Sequence, residues 1–160
     1  NSLTSSSNRR IMIKITKEDF NLEEEFKKIH SKKNGAYSFF LGTVRQDIND
    51  DIDGIFLECY EDLAYNQLNK IKEDSVKKWN LSDCTIIHRI GDLRISEKIV
   101  LVIAAAPHRS DCIEACEYII DTLKANVALW KFHIKGKEKK PVDQKKKDLD
   151  KYLSWGQVIS

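Results

Sequence analysis

The chain has 160 residues, 41% of them hydrophobic, and 27 basic against 25 acidic side chains leave a formal net charge of only +2. That length supports one core of ordinary size, and the balanced charge gives no general case for nucleic acid or a membrane surface as partner. The longest apolar run, Ile99 to Ala106, spans about eight residues against the roughly 20 needed to cross a bilayer, so it is predicted to be a buried strand.

Residues 1–10 are rich in Ser and Asn and lack an apolar h-region, which reads as a disordered leader or a cloning remnant and not as a secretory signal. A single domain is expected over residues 11–134, followed by a lysine-rich, partly mobile C-terminal segment over 135–160. Ile11 to Ile15 alternates and predicts a first strand. Asp19 or Asn21 then caps a helix with Leu22, Phe26 and Ile29 on one face, which stops at Lys32-Lys33-Asn34-Gly35 with Gly35 supplying a left-handed exit. The aromatic and β-branched stretch Ala36 to Val44 predicts a strand with Arg45 just past its end.

Gln46 to Gly54 holds Asp47, Asp50, Asp51 and Asp53 but lacks the sixth-position glycine and twelfth-position glutamate of a calcium loop, so it reads as a solvated turn. Ile55 to Tyr60 is expected to be a strand. Leu63 to Trp79 places Ala64, Leu68, Ile71, Val76 and Trp79 on one helical stripe. Cys84 to Ile90 and Lys98 to Ala106 follow as an antiparallel pair of strands. This irregular order favours an α+β fold with a mainly antiparallel or mixed sheet.

The stretch Ala106 to Lys131 then reads as an amphipathic helix capped by Ser110 or Asp111, with Ile113, Cys116, Ile120 and Leu123 buried and Lys124 at the margin of that face. Nine lysines lie between Lys131 and Leu153, a pattern usual for a solvated, mobile surface, while Tyr152, Leu153 and Trp155 are candidates to dock back onto the domain. The four cysteines, Cys59, Cys84, Cys112 and Cys116, show no metal-ligand spacing and read as buried reduced thiols in a cytoplasmic protein. Neither a metal nor a cofactor is expected.

Arg45, His108-Arg109, Lys124 and Lys131 all fall at the ends of predicted elements, where ligand groups are usually placed. Arginine offers a planar fork suited to phosphate, and a desolvated lysine can exchange protons near neutral pH. Spacing alone suggests an anion site.

Four segments, GAYSFFLGTVR (Gly35 to Arg45), LECYEDLA (Leu57 to Ala64), IIHRIGDLRISEKIVLVIAAAPHR (Ile86 to Arg109) and YIIDTLKANVALWK (Tyr118 to Lys131), resemble successive motifs of the large, catalytic subunit of molybdopterin synthase. The resemblance implies an α/β hammerhead fold with an added small antiparallel subdomain. It also implies a sulfurtransferase of molybdenum cofactor biosynthesis, acting on cyclic pyranopterin monophosphate (precursor Z). Its sulfur arrives as a thiocarboxylate on the C-terminal Gly-Gly of a small ubiquitin-like subunit, within a heterotetramer built on a homodimer of large subunits. Carried over by position, Thr43, Val44 and Arg45 contribute to the substrate site. Phe40 lines the pocket for the small subunit's tail. His108-Arg109 reaches the substrate across the dimer, and Lys124 and Lys131 are catalytic. Ala128 stands where the family usually has proline, implying a freer loop, and His133 stands where an acidic residue is common.

Two other readings compete. A nucleic-acid-binding module could work through the lysine-rich tail, although that tail lacks interleaved aromatics and a recognition motif. A non-catalytic scaffold for the small subunit is the other, and the presence of Arg45, Lys124 and Lys131 argues against it.

Overall fold

The chain order is β1 (Arg10–Thr16), α1 (Leu22–Ile29), β2 (Ala36–Thr43), β3 (Gly54–Glu58), α2 (Glu61–Trp79), β4 (Asp83–Arg89), β5 (Gly91–Arg94), β6 (Lys98–Ala106), α3 (Arg109–Asn126), β7 (Trp130–Lys135) and β8 (Glu138–Val142). The structure, a computed structural model, describes residues 10–46, 48, 49, 51–142 and 153–155. Residues 1–9 of the expected leader 1–10, Asp47 and Asp50 of the acidic turn, Tyr152 and most of the lysine-rich tail therefore lie outside the described residues, while Arg10, the last leader position, opens β1.

Two four-stranded sheets form, ordered β1-β4-β6-β2 and β5-β3-β7-β8. Among the described strands only β1 and β4 pair in parallel, and every other pairing is antiparallel. The mixed α+β architecture expected from the element order is thus present. On one face of the first sheet, α2 and α3 bury a core around Leu68, Ile86, Val102 and Ile119. On the other, α1 covers Ile87, Leu101 and Ile103. Being sandwiched on both faces explains why β6 reads as a continuous apolar run and why every residue of β4, its polar ones included, is buried. The second sheet encloses a smaller core of Val44, Ile52, Ile55, Leu57, Ile90 and Leu93.

Several expectations need correction. Asn21 does cap α1, accepting from the Glu24 N–H, but the helix ends at His30 in an extended conformation and not at a left-handed Gly35. Gly35 is needed for a different reason: a Cβ there would overlap the Pro107 carbonyl, and its N–H bonds Ala106 O at 3.1 Å. Helix α3 begins at Arg109 with His108 as N-cap and no side-chain capping bond, so neither Ser110 nor Asp111 caps it. Its buried side is Cys112, Ala115, Cys116, Ile119 and Leu123, while Ile113 is 55% exposed. Small residues at the contact let the helix lie close to the sheet, and that rotates the larger Ile113 outward.

The short link after Gly91 is itself β5, paired with β3 in the second sheet. Gly91 makes the turn between sheets with φ of +88°, a conformation other residues adopt only under strain. The first part of the lysine-rich segment is ordered as well: β8 pairs with β7 through the two-residue turn Gly136-Lys137, with Gly136 at φ +60°. Trp155 docks as expected. Its Nε1–H donates to Asp121 Oδ2 at 2.7 Å, and its ring stands edge-on to Trp79 and Tyr118. Leu153 stays exposed. All four cysteines are free; Cys84, Cys112 and Cys116 are buried and Cys59 is half-buried.

Candidate active site

The site can be built from where each element ends. Strand β6 passes into α3 through Pro107 and His108 alone, so the helix must turn back over the sheet, where it packs on β6 and β2. From Arg109 to Lys124 the helix rises about 22 Å at 1.5 Å per residue. Lys124, in its last turn, therefore lies over the Lys98 end of β6. Strand β2 runs antiparallel to β6, with Ala36 opposite Ala106 and Thr43 opposite Lys98, so Thr43, Val44 and Arg45 emerge at that same end.

Between Gly42 and Thr43 the β2–β6 register shifts, an irregularity that re-aims the side chains beyond it. Val44 is buried in the second sheet's core, and its backbone bonds Glu97 O at 2.9 Å and Ser96 N at 2.8 Å. Arg45, immediately after this anchor, is exposed at the junction of the two sheets.

Lys131 reaches the junction from the other side. It is the second residue of β7 and lies opposite Leu57 of β3. Directly opposed residues on antiparallel strands project from one face, so Lys131 shares the face on which Leu57 enters the small core beside Val44. Lys124 and Lys131 are both exposed in the single chain. The connection between α3 and β7 is Val127 to Leu129, with Leu129 packed against both larger cores.

Phe40 points inward from β2 against the first core, beside Gly42. His108 and Arg109 sit exposed at the N-terminus of α3, the opposite end of both the helix and the sheet from Lys124 and Arg45. The topology thus places Thr43, Val44, Arg45 and Lys124 at one end of the first sheet, with Lys131 a short loop beyond Lys124 in β7, and leaves His108-Arg109 at the opposite end of α3 in the same protomer. A single site using all of them requires two chains.

A cleft of about 440 Å³ lies elsewhere, on the α1 side, lined by Lys14, Asp19, Asn21, Glu24, Glu25 and Lys28 among others. It carries charges of both signs and none of the expected site residues. Burial pushes the Cys84 thiol up to about 12 and the Cys116 thiol up to about 11, which makes both poor nucleophiles. Among the described residues no His, Cys, Asp and Glu side chains group as a metal site.

Residues that sequence patterns did not reveal support the junction. The Gln67 side chain on α2 accepts from the Ala128 N–H at 2.9 Å, so the loop with Ala128 in place of a proline is tied to α2 through an N–H that proline lacks. Arg89, buried at the end of β4, donates to Lys98 O at 3.0 Å and Lys17 O at 3.1 Å. A glutamine on a helix and an arginine at a strand end carry no spacing signal for such long-range bonds.

The sequence matches the model of the MoaE protein family over residues 15–126, well over half of its length. The chain belongs to the MoaE family. The matched residues include Phe40, Thr43 to Arg45, His108-Arg109 and Lys124, whereas Lys131 lies just beyond them. Among MoaE relatives, the chain is 35% identical over 150 residues to a molybdopterin synthase catalytic subunit of Ralstonia nicotianae, covering 91% of this chain and 85% of the relative. Its fold matches a solved MoaE protein from Burkholderia ambifaria with a TM-score of 0.78 at 32% identity, covering 91% of this chain and 98% of that one. It also matches a chain of molybdopterin synthase from Staphylococcus aureus with a TM-score of 0.75 at 31% identity, over 81% of this chain and 95% of the other. The hammerhead-type architecture with an added antiparallel sheet is therefore that of MoaE proteins.

Proposed function

We propose that this chain is the catalytic subunit of a molybdopterin synthase, a sulfurtransferase. In this reading it moves sulfur from the thiocarboxylated C-terminus of a small ubiquitin-like subunit onto precursor Z, making the dithiolene of molybdopterin. The observation that carries the reading is family membership over the very segments that hold Arg45, His108-Arg109 and Lys124. The placement of Arg45 and Lys124 at one end of the first sheet, with Lys131 a short loop further on, supports it, because the reaction brings together a phosphate-bearing substrate and an anionic thiocarboxylate.

The chemistry suits these residue types. The thiocarboxylate sulfur forms a bond to a substrate carbon, charge develops on the acyl oxygen and on the departing phosphate oxygen, and water then releases the carrier as a carboxylate; a second thiocarboxylated carrier supplies the other sulfur of the dithiolene. Cations already aimed at that charge are an effective stabilising device in a site closed from water. Lys124 polarises or exchanges protons at the reacting centre, Lys131 assists at the acyl or phosphate side, and Arg45 holds the anion. Phe40 lines the channel for the small subunit's tail, and His108-Arg109 serves the partner protomer's substrate. The working assembly is a homodimer of these chains with one small subunit per chain, acting in the cytoplasm without a cofactor. No helix among the described residues is long and apolar enough to cross a membrane.

Lys124→Ala tests the assignment. Loss of a charge-stabilising group is expected to lower turnover by at least about 100-fold, with the melting temperature and small-subunit binding unchanged. An active Lys124→Ala protein in an assay of molybdopterin formation contradicts it.

A further inference from the structure

We propose that Gln67 is a positioning residue for this site: by holding the Ala128 N–H it fixes the placement of Lys131 relative to Lys124. The inference rests on the assignment of those two lysines to the reaction.

The two lysines stand on different layers. Lys124 is in the last turn of α3, which packs on the first sheet, and Lys131 is in β7 of the second sheet. Only Val127, Ala128 and Leu129 link those elements, so the path of three residues sets how one cation faces the other. Two of the three amides are held locally, Val127 N to Leu123 O at 3.1 Å and Leu129 N to Val127 O at 2.9 Å. The middle amide, Ala128 N, is held by a side chain 61 residues away, Gln67 Oε1 at 2.9 Å.

Gln67 is well placed for this. It precedes Leu68, which is fully buried, on the 19-residue helix α2, so its backbone is fixed by the main core. A side chain supported in that way transmits the position of a rigid element to a loop. Leu129 packs against both cores, so a rotation of the Ala128 peptide is passed on to the start of β7. A misplacement of about 1 Å in a catalytic constellation can cost on the order of 100-fold in rate.

The test compares Gln67→Leu, which removes the acceptor, with Gln67→Glu, which keeps an oxygen acceptor, in molybdopterin formation from a thiocarboxylated small subunit and precursor Z. Gln67→Leu is expected to lower kcat about tenfold or more with KM within about twofold, and Gln67→Glu to recover most of that loss. In an Ala128→Pro background, where no N–H is left to hold, Gln67→Leu should change kcat by less than about twofold. Val127, at φ −79° and ψ 125°, already has the extended conformation required before proline.

A Gln67→Leu protein with wild-type kcat, or one whose loss only tracks its folded fraction, overturns the inference. So does an equal effect of Gln67→Leu with and without the proline. Amide exchange gives a readout independent of turnover: the Ala128 N–H should exchange faster in Gln67→Leu, and unchanged protection overturns the proposal. A wild-type protein that makes no molybdopterin, with Ala128 still protected through Gln67, points instead to failure of the functional reading.

Discussion

At the scale of single residues, the ionisable groups with displaced pKa values lie in the scaffold. His88 is buried in β4 with its Nδ1–H donating to Arg89 O at 2.8 Å, and burial lowers its pKa below 6.5 although the bond to Arg89 opposes this. The folded state therefore favours the neutral ring, and the unfolded chain binds the extra proton first as pH falls. The stability that His88 contributes is complete above pH 6.5 and is lost progressively below it, towards the lowered folded pKa. Melting temperature is expected to stay flat from about pH 8 to 6.5 and to drop between about 6.5 and 5, before most carboxylates titrate. A His88→Leu variant should lose that part of the slope. An unchanged slope in His88→Leu contradicts the burial argument.

The proposed site residues and the residues that hold the scaffold differ in how they can be read. Arg45, His108-Arg109 and Lys124 stand inside dense local motifs, so the resemblance to the family marks them as candidates. Gln67 and Arg89 act through bonds to backbone groups 61 residues and 72 residues away, and no local pattern encodes those. Ile113 misled because helical periodicity marks two adjacent stripes on α3, and only contact with the sheet decides that the Cys and Ala stripe is the buried one.

At the scale of elements, strands dense in apolar and aromatic residues were easiest to read. Ile99 to Ala106 lies within β6 and Ala36 to Thr43 is β2, both within a residue or two of the expected bounds. Lysine-rich β8 was not legible, because its residues face solvent and its order comes from pairing with β7. That pairing has a local anchor. The Gly136 N–H donates to Asp53 Oδ2 at 2.7 Å, and Asp53 N donates to Ile134 O at 2.8 Å. Gly136→Ala keeps the hydrogen bond and has open space for its Cβ, yet it forces a non-glycine residue to φ +60°. That should destabilise the hairpin by about 1–2 kcal/mol. The check is amide exchange in Glu138–Val142, expected to rise while exchange in β4 and β6 stays constant. Equal protection in variant and parent contradicts a strained turn.

At the scale of the whole molecule, the fold separates the expected site residues into two groups. Arg45 follows β2 and Lys124 closes α3 at the Lys98 end of the first sheet, with Lys131 a short loop further on in β7, and His108-Arg109 lies at the other end of α3, about 22 Å along the helix axis. One chain cannot bring both groups to one small substrate without unwinding that helix. A two-fold assembly can, because symmetry carries the far end of one protomer to the near end of the other and makes two equivalent shared sites. The account therefore requires function to depend on pairs of chains.

Coexpression of Lys124→Ala and Arg109→Ala chains, followed by measurement of molybdopterin formed from precursor Z and a thiocarboxylated small subunit, tests this most directly. Each variant alone should be inactive. In a mixed dimer one site carries both lesions and the other carries neither, so random pairing should restore about a quarter of wild-type activity. Absence of recovery, with wild-type protein active in the same assay, contradicts the shared site. Absence of product from the wild-type protein contradicts the sulfur-transfer function itself.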